Sequence, residues 1–285
     1  MRNYLMAIFI ITVTFVSCSK DEVPNGPTPL QTNISIQNLN VSYGSAQLQK
    51  MDVYLPANRN TATTKVLFLV HGGAWIAGDK AAPDFAPVVD SIRKRMPDWA
   101  IFNLNYRLFV PLFNTNKFPA QEEDIKKAID FVYSNRNYYS ISDKWVIAGA
   151  SAGGHLALLQ AYKYNSPIKM KAVVNYFGPT DLHQLIAEET DAVLKLAMPT
   201  MFNGTETASS PINHINPQSP PTITFQGAND LTVPKSQQEA MHAKLRQNNV
   251  PEQLNIYAGE GHVFSAATMT KTYDAVIAFL NTHVK

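Results

Sequence analysis

Gly149-Ala150-Ser151-Ala152-Gly153-Gly154 decides how this chain is read. It follows the apolar run Trp145-Val146-Ile147-Ala148 and precedes the helix-like Leu156-Ala157-Leu158-Leu159. A serine at such a strand-to-helix corner sits on a tight, strained turn. Gly149 and Gly153 let the backbone and the neighbouring elements approach with no side chain between them. The hydroxyl is then held out at the carboxyl edge of a sheet, at the amino end of a helix whose free N–H groups favour developing negative charge. That is how an activated nucleophile is presented. A glycine-rich connection with an ordinary exposed serine would show the same pentapeptide, so the surrounding sequence has to separate the two.

The surroundings read as α/β. Ile34 to Val41 and Leu48 to Leu55 alternate like two strands of an antiparallel hairpin across Gly44. Val66-Leu67-Phe68-Leu69-Val70 is a continuous apolar run, as expected of a strand covered on both faces. Further strands are expected at Trp99–Leu104, Trp145–Ala148, Ala172–Phe177, Thr222–Phe225 and Leu254–Tyr257. Pro119 opens a helix with an acidic first turn (Glu122, Glu123, Asp124) and an apolar face at Ile125, Ala128, Ile129 and Val132. Tyr273, Val276, Ile277 and Leu280 repeat that spacing near the end. Alternating strands and helices predict a mostly parallel sheet of about eight strands with helices on both faces. Between Asp181 and Pro220 no strand is evident. A helical stretch near Leu182–Leu196 and a loop rich in Ser, Pro, Asn and Thr predict a small cap-like insertion, 181–220, over the carboxyl edge of the sheet.

Composition narrows the class. At 285 residues the chain can hold one large α/β domain or two small ones. With 45% hydrophobic and 16% charged residues it is globular and not disordered. A net charge of +2 with no basic run excludes a phosphate-tracking surface, so no nucleic-acid partner is expected.

Met1-Arg2-Asn3 and the largely apolar stretch Leu5–Val16 have the charge and length of a signal peptide, too short to span a bilayer comfortably. Cys18 follows directly and is the single cysteine, so no intramolecular disulfide can form. A lone cysteine after Ser17 resembles a bacterial lipoprotein processing site, although Phe15 stands where such sites carry Leu, Val or Ile. That resemblance implies residues 1–17 as signal peptide and 18–32 as a lipidated tether. It also implies a membrane anchor at Cys18 and a location in the cell envelope, facing outward. The catalytic domain would be 33–285. An ordinary secretory signal with an incidental cysteine is the alternative.

A serine nucleophile needs a base within hydrogen-bond reach, a carboxylate to orient the base, and preformed donors for the oxyanion. Of seven histidines, His262 in Gly259-Glu260-Gly261-His262 combines a post-strand loop, glycine flanks and a position late in the chain. His283 reads as tail, His242 as mid-helix, and His183 and His214 as parts of the insertion. His71 and His155 belong to the glycine motifs, His71 as a loop brace. Asp230, after a strand end and Gly227, is the acid by the Ser–Asp–His order. It could instead cap a helix. Asp181 is the second choice, and Glu260 stands too close in sequence to His262 to reach round to its ring. His71-Gly72-Gly73-Ala74-Trp75 follows the Val66–Val70 strand, so its backbone N–H groups can point at an oxyanion, with Ala152 N–H as partner. Trp75 either walls the acyl site or is a core aromatic.

Together with Asn105-Tyr106-Arg107-Leu108, Phe118-Pro119-Ala120 and Gly178-Pro179-Thr180-Asp181, these segments resemble the α/β-hydrolase fold over about residues 35 to 283. Within it the chain resembles carboxylesterases related to hormone-sensitive lipase and to the feruloyl and acetylxylan esterase-like (BD-FAE type) group. The resemblance implies Ser151, Asp230 and His262 as a triad and Gly73, Ala74 and Ala152 as oxyanion donors. Position 74 departs from the hormone-sensitive-lipase pattern, which has a third glycine there. Alanine keeps the N–H, so the weight moves to the feruloyl/acetylxylan-like group. The implied chemistry is acyl-enzyme hydrolysis of short-chain or carbohydrate-linked esters, with no metal or cofactor. A prolyl-peptidase-like hydrolase and a non-catalytic binding lipoprotein are the alternatives.

Overall fold

The computed structural model describes residues 28–83 and 85–285. The expected leader, Cys18 and most of the expected tether lie outside the described residues. The buried strands explain the fold. In β3 (Val66–Val70), Val66, Phe68 and Val70 enter one apolar cluster, while Leu67 and Leu69 enter a second. In β5 (Trp145–Ala150), Trp145 and Ile147 join the first cluster, and Val146 and Ala148 the second. Successive side chains point to opposite faces, so a continuous apolar run is stable only with a layer on each side.

Those layers are helical. Helices α1 (Ala86–Arg95) and α9 (Ala266–His283) supply Val89, Val276, Phe279 and Leu280 to the second cluster. On the other face lie α2 (Ala120–Ser134), followed by the single turn α3 (Arg136–Tyr139), then α4 (Ala152–Lys163) and α8 (Lys235–Gln247). They contribute Ile125, Ile129, Leu156, Met241 and Leu245 to the first. The remaining strands are β1 (Ile36–Ser42), β2 (Lys50–Leu55), β4 (Ala100–Leu104), β6 (Ala172–Tyr176), β7 (Thr222–Gly227) and β8 (Glu252–Tyr257). The eight strands run in the order β1-β2-β4-β3-β5-β6-β7-β8. β1 pairs with β2, and β2 with β4, in antiparallel fashion, and every later pairing is parallel. The carboxyl ends of β3, β5, β7 and β8 therefore share one edge.

The acidic first turn of α2 faces inward at two of its three carboxylates. Glu122 and Asp124 are buried rather than presented to solvent. Asp124 accepts from the Arg107 guanidinium at 2.7 and 2.9 Å, from Arg107 N at 2.8 Å and from Gln49 Nε2 at 2.6 Å. Glu122 accepts from Tyr164 Oη at 2.5 Å and pairs with Lys163 Nζ at 2.8 Å. Buried carboxylates are stable only when so paired. The Asp124 contacts fasten α2 to Arg107 and Gln49, and those of Glu122 fasten it to the end of α4.

Between β6 and β7 the chain is more helical than its composition suggests. The expected helix near Leu182–Leu196 is two helices, α5 (Leu182–Glu188) and α6 (Ala192–Phe202). Asp191 starts the second by accepting from the N–H groups of Val193 and Leu194, so a capping side chain breaks the run. The Ser/Pro-rich stretch then forms α7 (Glu206–Ser209) and a 3-10 turn at Pro211–His214. His283 is not tail. It ends α9 with its ring 4.5 Å from that of Phe279.

Candidate active site

Ser151 stands between β5 and α4 with φ 54° and ψ −123°, a backbone that side-chain-bearing residues rarely adopt. Its N–H donates to Tyr176 O at 2.9 Å, and its carbonyl accepts from His155 N at 3.0 Å. The glycines on either side are there for close approach. A Cβ on Gly149 would lie 2.2 Å from Gly153 O, and one on Gly153 2.2 Å from Val70 O. The amino end of α4 is thereby seated against the end of β3, next to the His71–Trp75 loop.

The three polar residues meet in space. Asp230 Oδ2 lies 2.8 Å from His262 Nδ1, and His262 Nε2 lies 2.9 Å from Ser151 Oγ. A carboxylate only accepts, so Nδ1 carries the proton, and Nε2 is left to accept from the serine hydroxyl. Asp230 is buried and fully engaged. Its Oδ1 accepts from Thr232 N and Val233 N, both at 2.9 Å, and its Oδ2 also from Gln226 Nε2 at 3.1 Å. The loops carrying acid and base are laced together by Asn229 N to Glu260 O at 2.9 Å. The close approach that this needs falls on Gly227, where a Cβ would sit 2.2 Å from Gly261 O. At Gly261 itself a Cβ would meet nothing nearer than Asn229 O at 3.9 Å.

The rival carboxylates are used elsewhere. Asp181 caps α5 by accepting from His183 N and Gln184 N. Glu260 turns away from the imidazole and accepts from Ser265 N, Ser265 Oγ and Thr268 Oγ1 at the start of α9. Among the other histidines, His242 on α8 pairs with Glu252, His183 with Thr207 Oγ1, and His214 with Ala208 O.

The loop after β3 has three successive left-handed residues, Gly73 at φ 113°, Ala74 at 50° and Trp75 at 61°. Gly73 O accepts from Ile76 N and Ala77 N at 3.1 and 2.9 Å. Among the described residues, the N–H groups of Gly73, Ala74 and Ala152 donate to no protein carbonyl or side chain outside a helix. His71 braces the loop, its ring stacked on Tyr106 at 4.4 Å and its carbonyl accepting from Tyr106 Oη at 3.0 Å. Trp75 is core: its ring is 2% exposed, edge-on to His155 and Phe202 at 5.2 and 5.3 Å.

Two neighbours were not foreseen from the sequence. Gln226 holds Asp230 from the end of β7, and Phe177, at φ 42°, lays its ring against His262. A glutamine closing a buried strand just before a glycine was the available signal for the first. Nothing local marks the second.

Sheet order, serine corner and polar chain together define an α/β-hydrolase fold. The chain belongs to the BD-FAE family, whose model matches residues 51–245, a span that holds Ser151 and Asp230 and stops short of His262. Among solved structures it resembles the bifunctional GH43-CE protein of Bacteroides eggerthii, with a TM-score of 0.72 and 24% identity. That match covers 85% of this chain and 38% of that one. A truncated carbohydrate esterase from gut microbiota gives a TM-score of 0.70 at 23% identity, covering 88% of this chain and 98% of that one. Among curated relatives, the probable carboxylic ester hydrolase LipM of Mycobacterium tuberculosis is 29% identical over 238 residues, 76% of this chain and 53% of LipM. Esterase LipC of the same organism is 25% identical over 85% of this chain and 64% of LipC. The matched region thus spans between about half and two thirds of these relatives' own length.

Proposed function

We propose that this protein is a serine carboxylic-ester hydrolase acting on short-chain or carbohydrate-linked acyl esters, acetyl or feruloyl. The observation that carries the reading is the unbroken chain from Asp230 through His262 to Ser151 Oγ, on a strained serine backbone beside uncommitted N–H groups. His262 Nε2 takes the hydroxyl proton as Oγ attacks the ester carbonyl. The oxyanion is met by the N–H groups of Gly73, Ala74 and Ala152, each such donor supplying roughly 3 kcal/mol. The imidazolium, steadied by Asp230, returns the proton to the leaving alcohol. Water, deprotonated by His262, then releases the acid and regenerates Ser151. Support for the ester class comes from the family and from the relatives' names. Support for a glycan-linked ester comes from the carbohydrate esterases that share the fold.

Ser151→Ala is expected to abolish p-nitrophenyl acetate hydrolysis, and a variant turning over near the wild-type rate would refute the reading. A panel of acyl-chain lengths together with acetylated and feruloylated xylan reads out the substrate. Export and lipidation at Cys18 form a separate proposal, resting on Leu5–Val16 and the single cysteine. Labelled palmitate should be incorporated by the wild type and not by Cys18→Ala.

A further inference from the structure

We infer that the buried pair Trp75–His155 holds the oxyanion loop in register with the nucleophile, making both of them positioning residues. The inference rests on the ester-hydrolase function proposed above. Three successive left-handed residues, two of them not glycine, form a conformation that a chain keeps only where its surroundings over-determine it. The bonds from Gly73 O to Ile76 and Ala77 lie inside the loop and do not fix it to anything else. Besides the His71 brace on Tyr106, which holds the loop's first residues, its outer moorings include Trp75 O, which accepts from Phe109 N at 2.8 Å, and the Trp75 side chain.

That side chain has one polar atom, and its partner is specific. The indole N–H faces His155 Nδ1 at 3.3 Å, while His155 Nε2 lies 2.7 Å from Ser209 O. A carbonyl can only accept, so Nε2 bears the proton and Nδ1 presents its lone pair to the indole. Burial pushes the imidazole down to about 4, which keeps this neutral form in place at the pH of any ordinary assay. His155 lies on α4 four residues beyond Ser151, and its own N–H donates to the serine carbonyl. One residue therefore ties together the nucleophile's backbone, the side chain next to Ala74 and a carbonyl of the 181–220 segment. A rotation of the indole would turn the peptide planes of Gly73 and Ala74, whose N–H groups must meet an oxygen at about 2.7–3.1 Å.

The same contacts give the 181–220 segment a role. Phe202 at the end of α6 packs edge-on against Trp75 and, at 5.0 Å, against Phe118, whose N–H donates to Met201 O at 3.0 Å. The segment acts as a buttress behind the oxyanion loop.

Trp75→Phe removes the N–H and keeps most of the ring. It is expected to lower kcat for p-nitrophenyl acetate roughly tenfold or more, to leave KM within about twofold, and to weaken phenylboronic acid, a tetrahedral adduct former at the serine, by the same factor as kcat. His155→Gln, which can still accept from the indole and donate to Ser209, should recover most of the rate, whereas His155→Leu should match Trp75→Phe. Thermal melting accompanies each variant, and if Trp75→Phe does not fold, the Gln/Leu pair at 155 decides alone. Labelling of the wild type by a fluorophosphonate separates the two claims. If the wild type is not labelled, the proposed function fails. A labelled wild type with a Trp75→Phe variant of unchanged kcat overturns the positioning role and leaves the function standing. A fall in kcat matched by a rise in KM, with boronate affinity intact, also overturns it.

Discussion

The rings of Phe177 and His262 lie 4.6 Å apart, centroid to centroid, tilted by 53°. Phe264, two residues beyond His262, also packs on Phe177, edge-on at 5.2 Å. Phe177 sits where the ends of three strands meet. The preceding carbonyl, of Tyr176, takes the Ser151 N–H, and its own N–H donates to Phe225 O on β7. The imidazole is thus held at Nδ1 by Asp230 and at Nε2 by Ser151, with the tilted ring of Phe177 packed against it. A contact of this kind contributes roughly 0.5–1.5 kcal/mol beyond burial. If it is used to hold the base in line, Phe177→Leu should lower kcat up to about tenfold, with Phe177→Tyr close to wild type. Steady-state kinetics on p-nitrophenyl acetate decide, and a Leu variant as fast as the Tyr variant sinks the idea.

Asp230→Asn tests the orientation of the proton. Two backbone donors, Thr232 and Val233, face Oδ1, so an asparagine places its oxygen there and its amide nitrogen toward His262. The nitrogen can only donate, which forces Nδ1 to accept and moves the ring proton to Nε2. Ser151 then has no acceptor. The expected result is a loss of about 10⁴ in kcat, the size seen when a triad imidazole takes the wrong tautomer, with a lower melting temperature because Gln226 Nε2 then faces a donor. A loss under tenfold would mean that Asp230 does not set the tautomer.

How far the sequence carried the fold and the site depended on whether each signal was local. Ser151 and the strand before it were legible because a glycine-flanked serine after an apolar run is a local pattern with one common structural solution. Asp230 was preferred to Asp181 on chain order, yet Asp181 also falls between Ser151 and His262, and both are aspartates in a turn after a strand. Only in space does one face an imidazole and the other cap α5. Trp75 stayed undecided because its partner is 80 residues away. The acidic turn of α2 was legible as a helix start, but its burial was not, because a helix-dipole argument is local. Arg107 and Tyr164, which bury Asp124 and Glu122, are brought in by the fold.

Acid should loosen the molecule through its buried histidines. His155 is held down to about 4 chiefly by desolvation, and His242 is lowered for the same leading reason. A histidine depressed in the folded state binds its proton first in the unfolded chain. Stability is therefore complete above about pH 6.5 and declines as the pH falls toward 4. For His155 the full loss is about 3 kcal/mol, at 1.36 kcal/mol per unit. Chemical denaturation at pH 7, 6, 5 and 4.5 should show wild-type stability dropping more steeply than that of His155→Gln, in which His242 still titrates. Parallel curves for the two proteins would show that His155 is not the group responsible.

Behind the oxyanion loop, Lys80 and Asp52 form a buried ion pair of 2.9 Å, their side chains 4% and 5% exposed. Lys80 Nζ also donates to Asn40 Oδ1, Lys80 N to Asn105 Oδ1, and Asn103 Nδ2 to Lys80 O. One residue thereby joins the segment that follows the oxyanion loop to β1, β2 and β4. Desolvating both charges offsets most of their attraction, so the pair itself adds little, but either charge alone is poorly tolerated. Asp52→Ala leaves an ammonium with only neutral partners and is expected to destabilise by about 3–5 kcal/mol, lowering the melting temperature by roughly 10 °C for a domain of this size. Asp52→Leu with Lys80→Met removes both charges and should recover much of that loss. Both proteins should keep their ester hydrolysis at temperatures where they remain folded, because neither residue touches Ser151, His262 or Asp230. Calorimetry on the single and double variants tests this, and a double variant no more stable than Asp52→Ala would place the cost in lost packing instead of an unpaired charge.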